Sequence, residues 1–492
     1  MPAKTRTDRL KTLLFWLLTA ILLITSAYLL FARLGDALIA DYDEARHGVN
    51  AYEMIRNQDY IVTTYQGQAD FWNLKPPLSA WLIAFSYGLF GYNAFALRFF
   101  SALATFLCEI AVAYWAARHI NRWAVPLLLL LFVSNARFYG LHFSRAGDAD
   151  AQYQLFFTLA MLGMLNAEHD FRWFYASALF FGLAFLEKGL HALNIPIICL
   201  ITLIGTGRIR QLNWKRALGL LACGLGLILP WAVARYSRDG MAFFTHMFST
   251  DVAGRIGSTA DPLDPNQPAL LYYIDQTFRY PMLCAYLALC ALSAAVLKIT
   301  GARLTPWERN TVIGCSVWTV VPFVFYTLMN VKYNWYVYSI LMALPLLTAV
   351  LFFAMLRAAP ANKAVWGIVG VGFVIFVLFT AQNVIHVSQV RFNNTVQAFL
   401  QQNLDRDSDS GRHAYIQYNE NGQTAWMQAD MLTALYYGDV TCMDGGVEAF
   451  MNDKDSAVLF VGKEDNAEAI AALQEQEIVR NEDYYLIAFD NE

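Results

Sequence analysis

Apolar residues run along this chain in blocks of about twenty, broken by short polar stretches, instead of recurring at the spacing of surface helices. Blocks of this length predict membrane-crossing helices near residues 11–33, 94–118, 123–143, 151–166, 172–187 and 188–206. Further helices are expected near 214–236, 279–299, 311–329, 335–357 and 364–386. The stretch 77–90 is apolar but short, so it reads either as a further span or as a segment at the interface. The total is then roughly 11–13 transmembrane helices. From about residue 390 the pattern changes to alternating and polar. There Ala414–Tyr418, Ala457–Val461 and Tyr484–Phe489 predict strands and Ala467–Gln476 an amphipathic helix. The expectation is an α-helical polytopic membrane domain over residues 1–389, with an outer-face loop at 34–76, followed by a small α/β soluble domain over 390–492.

The cations give the chain an orientation. With the N-terminus in the cytoplasm, Arg118, Arg122, Arg208, Arg210, Lys215 and Arg216 cluster in cytoplasmic loops, as do Lys298, Arg303, Arg309, Arg357 and Lys363. The opposite side holds isolated cations: Arg46, Lys75, Arg145, Lys188, Arg255 and Lys332. That separation puts the 34–76 loop and the C-terminal domain outside. The apolar block at 11–33 is too long for a signal peptide and lacks a small-residue cleavage site, so it reads as an uncleaved first helix.

Composition agrees with a polytopic chain: 57% of the 492 residues are hydrophobic and 15% charged. A net charge of -4 argues against nucleic acid as partner. The seven cysteines form neither a disulfide framework nor a zinc spacing. No P-loop, Rossmann fingerprint or internal repeat is present, so no nucleotide or redox cofactor is expected.

Against this background the outer charges stand out. Asp41-Tyr42-Asp43-Glu44 leaves the first apolar block, and Lys75-Pro76-Pro77 opens the next apolar stretch. Ionisable groups beside a bilayer are costly to desolvate and are retained for a task. Asp43 or Glu44 suits a general base with a neighbouring carboxylate to tune it, although a solvated loop start has the same composition. Asp148-Ala149-Asp150 has the spacing for oxygen ligation of a divalent cation such as Mg²⁺ or Mn²⁺, or for capping the helix that follows. Lys75, Lys188, Arg255 and Lys332 together suit a phosphate or diphosphate, whereas each one alone is explained by snorkelling to the interface. His47, His142 and His191 lack a metal-ligand spacing and read as structural or hydrogen-bonding residues. Two functional classes fit these charges: an enzyme acting on a phosphate-bearing lipid, and a transporter or flippase of lipid-linked glycans. Transporters tend to show paired broken helices and internal repeats; here the charges gather at one face beside a long loop, which favours the enzyme.

The ordered set of motifs carries a family resemblance. Asp43-Glu44-Ala45-Arg46, then Lys75-Pro76-Pro77-Leu78, Leu89-Phe90-Gly91, Arg98 and Arg145…Asp150 follow the order seen in C-type glycosyltransferases. Lys188-Gly189, Pro230-Trp231, Arg255 and Lys332 followed by Tyr336 continue it over roughly residues 10–350. The chain resembles the aminoarabinose transferase and protein O-mannosyltransferase-like group, integral membrane enzymes that use polyprenyl-phosphate-linked sugars. The resemblance implies transfer of a monosaccharide from undecaprenyl phosphate to a glycolipid, polysaccharide or protein acceptor, with inversion, at the outer face of a bacterial inner membrane. It implies Asp43, Glu44 and Asp150 as catalytic acids, with Asp43 the general base. Arg46, Lys75, Asp148, Lys188, Arg255, Lys332 and Tyr336 become substrate-binding residues. Leu74 stands where many relatives carry Glu, and His47 where Tyr is common.

Overall fold

The computed structural model describes residues 6–140, 142–250, 271–279, 281–391, 395–418, 423–453, 457–462, 477–480 and 484–488. Two compact units make up the chain. One comprises Met1–Ala32, Leu74–Ser79 and Phe100–Gln389; the other comprises Arg33–Asn73, Ala80–Phe99 and Val390–Glu492.

The first unit is built from long apolar helices. Eight helical runs in the described residues are long and apolar enough to cross a membrane. They are Arg6–Phe31, Ala94–His119, Trp173–Gly205, Trp214–Asp239, Pro281–Thr300, Pro306–Thr327, Asn334–Ala358 and Lys363–Ser388. Four expected spans differ from this picture. The block at 123–143 divides into an 11-residue helix, Ala124–Ser134, and a 3-10 turn, Ala136–Tyr139, where Asn135 leaves the helical region. Asp150–Asn166 has only 17 residues. The blocks 172–187 and 188–206 form one helical run interrupted at Gly189, whose φ of 57° ends the Trp173–Lys188 helix and starts a 3-10 segment. Asp150–Asn166 packs on Trp173–Lys188, which packs on Trp214–Asp239, while Pro281–Thr300 and Pro306–Thr327 both pack on Ile340–Ala358. Burial separates inner from outer helices: Asn334–Ala358 is 83% buried over its apolar window and Lys363–Ser388 only 11%. Val371, Phe373 and Leu378 on the latter are exposed, as a lipid-facing helix requires. The chain is a multi-pass membrane protein.

The second unit combines loop, helix and sheet. The helix Asp43–Asn57 leads into a hairpin of β1 (Thr64–Tyr65) and β2 (Gln68–Ala69), paired antiparallel. Gln66 and Gly67 at its turn both have positive φ, the geometry that matches the twist of a two-residue hairpin. Leu78–Phe90 is a 13-residue apolar helix of roughly 20 Å, too short to cross a bilayer alone. The C-terminal strands are β3 (His413–Gln417), β4 (Thr441–Met443), β5 (Ala457–Gly462), β6 (Glu477–Arg480) and β7 (Tyr484–Ala488). They form a sheet in the order β4-β3-β5-β7-β6. β3 runs parallel to β4 and β5, and β7 is antiparallel to β5 and β6. The strands expected near 414, 457 and 484 are present, whereas the expected helix Ala467–Gln476 lies outside the described residues. β4 is only three residues long and carries no clear alternation, so it was not legible in the sequence.

The core of this unit joins its discontinuous parts. Ala45, Val49 and Tyr52 of the first helix and Ile83, Ala84 and Tyr87 of the short apolar helix pack with Leu432, Leu435 and Tyr436 of the helix Gln428–Gly438. Gly48 is required there, because a Cβ would run into the Leu432 side chain. Ile39 and Gln397 exchange two hydrogen bonds of 2.9 Å, Tyr87 bonds Tyr436, and the Tyr52 hydroxyl donates to Asp439. The C-terminal segment is thus packed directly against the helix that begins at Asp43.

Candidate active site

In the second unit the acidic turn is held from several directions. Tyr42, at φ 66° and ψ -115°, makes the sharp entry into the Asp43–Asn57 helix, which places Asp43 and Glu44 in its first turn. Carboxylates are favoured at that positive helix end. Glu44 is buried and fully engaged: Oε1 accepts from Arg98 Nε at 2.7 Å, and Oε2 from Arg98 Nη2 at 3.0 Å and the Ala40 amide at 2.8 Å. The same guanidinium donates to the carbonyls of Leu34, Ala37 and Leu38, so the loop before the turn wraps around one buried cation. Asp41 accepts at 2.9 Å from the Ala429 amide, supplying an acceptor to a helix whose own N-cap, Met427, makes no side-chain bond. Asp43, like Asp41, is half-buried.

Arg46 is also committed within this unit. It forms a two-point pair with Asp70, Nε–Oδ2 2.8 Å and Nη2–Oδ1 2.7 Å, and stacks 3.6 Å from the Tyr65 ring centroid. Asp70 further accepts from Asn50 and from the Trp72 and Asn73 amides. Burial pushes its pKa up, but the bonds from Arg46 and Asn50 outweigh burial and hold it below the ordinary carboxylate range. Asp70 organises the 34–76 loop, and sequence reasoning passed over it. Its only signal was an Asp three residues before Asn73, an ordinary Asx-turn pattern. An apolar groove of about 550 Å³ lies on the same unit, lined by Tyr60, Trp81, Ala84 and Phe85.

The first unit gathers a separate set of charges. Asp148 accepts from its neighbour Ala149 at 2.7 Å, meets His142 Nδ1 at 2.8 Å and lies 3.9 Å from Lys75 Nζ. Asp150, first residue of its helix, pairs with Lys188, both being buried. Neither acid caps the helix: the N-cap is Ala149, with no side-chain bond. The two carboxylates of the Asp148-Ala149-Asp150 motif are therefore each matched to a different cation. Lys188 Nζ also sits 5.8 Å from the Tyr153 ring and 5.7 Å from the Tyr336 ring. The rings continue outward from there: Tyr153 donates to the His191 carbonyl at 2.9 Å, His191 Nδ1 meets the Tyr326 hydroxyl at 2.8 Å, and His142 stacks on Trp335 at 3.9 Å. Arg145 is turned to the first helix, donating to the carbonyls of Leu29 and Leu30 at its C-terminus.

Within this unit the structure brings together Lys75, Asp148, Asp150, Lys188 and Tyr336. Lys332 is buried and donates to the Met329 carbonyl. Arg255 lies outside the described residues. His142 and Tyr153 belong to the cluster but were missed as site residues, because an isolated His or Tyr in an apolar chain carries no spacing signal. The arrangement is suited to an anionic group: a buried ammonium paired with a carboxylate and flanked by aromatic faces, with half-buried Lys75 nearby, offers oriented positive charge in a low-dielectric setting.

Comparison with known proteins agrees with this geometry. Residues 74–233 match a family model described as dolichyl-phosphate-mannose-protein mannosyltransferase. The undecaprenyl phosphate-alpha-4-amino-4-deoxy-L-arabinose arabinosyl transferase of Yersinia pestis (strain Pestoides F) is 27% identical over 326 residues, 64% of this chain and 55% of that protein. The protein of the same name from Pseudomonas aeruginosa (strain LESB58) is 28% identical over 320 residues, 62% of this chain and 54% of that protein. The chain thus spans about half the length of these curated relatives. Among solved structures, ArnT from Cupriavidus metallidurans bound to undecaprenyl phosphate superposes with a TM-score of 0.68 at 16% identity, covering 96% of this chain and 97% of that one. The Archaeoglobus fulgidus oligosaccharyltransferase gives 0.51 at 11% identity, covering 91% and 69%. The chain therefore has the fold of the C-type membrane glycosyltransferases, and its sequence relatives lie in the group that works with polyprenyl-phosphate sugars.

Proposed function

We propose that this protein transfers a monosaccharide from a polyprenyl-phosphate carrier, undecaprenyl phosphate in a bacterial inner membrane, to a glycolipid, polysaccharide or protein acceptor. The observation that carries the reading is the set of buried Lys188, Asp148 and Asp150 with half-buried Lys75, two ammonium groups each facing a carboxylate. Cations held in this way stabilise the charge that develops on a departing lipid phosphate without having to reorganise. The relatives' names, which specify an undecaprenyl phosphate sugar, support the same donor class. They are transferases, and transport of lipid-linked glycans is not favoured.

In this reading Asp43 is the general base that deprotonates the acceptor hydroxyl or amine, and single displacement inverts the anomeric centre. Glu44 is assigned a positioning role, since both of its oxygens are used in holding Arg98 and the loop around it. Arg46 likewise acts through Asp70 on the shape of the loop. Lys75, Lys188, Arg255, Lys332 and Tyr336 bind the donor phosphate, and Asp148 and Asp150 orient the lysines. Residues 1–389 are the transmembrane transferase domain, and residues 390–492 are a periplasmic α/β domain. The packing of Leu432 and Tyr436 with the Asp43–Asn57 helix supports reading the C-terminal segment and the acidic turn on one face of the membrane. The apolar groove beside Trp81 suits an acyl chain of a lipid acceptor.

The test is turnover of a radiolabelled undecaprenyl-phosphate sugar by purified protein in detergent with a lipid acceptor. The parent protein is expected to release undecaprenyl phosphate, and Asp43→Asn to lose at least about a hundredfold in rate. Full turnover by Asp43→Asn removes the base assignment. Failure of the parent on every polyprenyl-phosphate sugar removes the reaction class.

A further inference from the structure

Glu187 is the penultimate residue of the Trp173–Lys188 helix and has no assigned task. It is fully buried, with 0% exposure. Neither of its carboxylate oxygens has a hydrogen-bond partner, and among the described buried residues it is the only acid of which that is true. Its charged neighbours are Asp148, Asp150 and Lys75. The two lysines of the cluster are matched to other acids, Lys75 to Asp148 and Lys188 to Asp150.

Nothing within the folded protein satisfies this group in either protonation state. A charge buried without a partner is costly, and two acids nearby add repulsion. The negative end of the helix dipole lies at the same turn, because Gly189 ends the helix there. The protonated form also leaves an O–H and a carbonyl oxygen without partners in the folded protein. A buried group that no intramolecular contact satisfies, placed among the residues of the proposed site, is where the fold concedes stability to a ligand.

The chemistry of that ligand follows from what surrounds Glu187. The lysines draw the anionic phosphate, and the N–H and O–H groups of the donor lie on its sugar, where they can complete an acid whose two oxygens lack partners. We infer that Glu187 binds the sugar moiety of the polyprenyl-phosphate donor, accepting hydrogen bonds from its hydroxyl or amino groups. Glu187 then distinguishes the loaded carrier from the spent one, since the spent carrier retains the phosphate and lacks the sugar. This assignment rests on the donor class proposed above.

The experiment compares binding of undecaprenyl phosphate, an undecaprenyl-phosphate hexose and an undecaprenyl-phosphate amino-pentose to the parent, Glu187→Gln and Glu187→Leu proteins in detergent, with thermal melting of each. Both variants are expected to weaken the better-bound sugar-bearing ligand by about tenfold or more while leaving sugar-free undecaprenyl phosphate within about twofold. Glu187→Leu is expected to melt at or above the parent temperature, because it removes an unsatisfied buried acid. A larger loss for the amino-pentose marks an ammonium as the bound group, and a larger loss for the hexose marks hydroxyls. Equal weakening with and without the sugar overturns the inference, as does unchanged affinity for both sugars. A lower melting temperature for Glu187→Leu that Glu187→Gln restores also overturns it, by showing a structural role. A parent protein that binds no polyprenyl-phosphate sugar overturns the donor reading and this inference together; an active parent with unaffected variants overturns this inference alone.

Discussion

At the scale of single residues, the acids and lysines noticed in the sequence divide into those matched to one another and those that are not. Lys188 was expected as a phosphate ligand only together with Lys75, Arg255 and Lys332; in the structure it is paired with buried Asp150. That pairing has a measurable consequence. Lys188→Met leaves Asp150 buried without its cation and is expected to cost about 3–5 kcal/mol. Lys188→Met combined with Asp150→Leu should recover most of that loss, since an apolar pair of similar volume is tolerated where an ion pair stood. Thermal melting of the three proteins checks the stability pattern. Turnover should be lost in both variants, so recovery of stability without recovery of activity separates the two roles. The types of residue that matter were legible here, because charge in an apolar context is conspicuous. Their partners were not: nothing in the spacing of Lys75, Asp148, Asp150 and Lys188 states which cation meets which acid.

At the scale of elements, the helix Asp43–Asn57 shows how a short segment is held from outside itself. Its first-turn acid Glu44 closes on Arg98, which lies on a different helix and also collects three carbonyls of the intervening loop. Arg98→Ala is expected to destabilise the unit by about 3–5 kcal/mol and to lower turnover, because Glu44 is left buried and the turn carrying Asp43 loses its anchor. Limited proteolysis within residues 33–42 checks the loss of the anchor directly, and unchanged cleavage would count against it. A second element, Gln428–Gly438, responds to pH. Burial raises the Asp430 pKa to about 7, with Asp41 adding to the rise and the Tyr418 hydroxyl, donating at 2.7 Å, working against it. The folded protein then keeps a proton that the unfolded chain releases near the ordinary carboxylate value. This contribution to stability is complete below about pH 4 and is lost as pH rises to about 7, on the order of 4 kcal/mol in all. The parent should therefore melt lower at pH 8 than at pH 5, and Asp430→Asn should flatten that difference. An unchanged profile in the variant would remove Asp430 as its source. Arg98 stood in the motif order without its partner Glu44 being stated, and no element was expected at Gln428–Gly438, so Asp430 carried no signal at all.

At the scale of the whole molecule, topology is the property on which the proposed chemistry depends. A reporter fused after residue 400 is expected to read out on the periplasmic side, and a cytoplasmic signal would put the acidic turn on the wrong face for a periplasmic donor. The sequence by itself determined the class of molecule: long apolar blocks leave water only one way to be avoided, and cations between them bias orientation. It also determined which residue types are costly enough in that setting to require a reason, and the order of motifs sufficed for the glycosyltransferase resemblance. Tertiary structure decided the rest. Among the described residues it shows eight long apolar runs with broken or shortened helices between them, because Asn135 and Gly189 interrupt the helix without interrupting the apolar pattern. It joined residues 33–73, 80–99 and 390–492 into one unit, since burial acts between surfaces wherever they lie along the chain. It also left Glu187 without a partner beside acids and lysines that have theirs, a distinction that exists only in the folded protein.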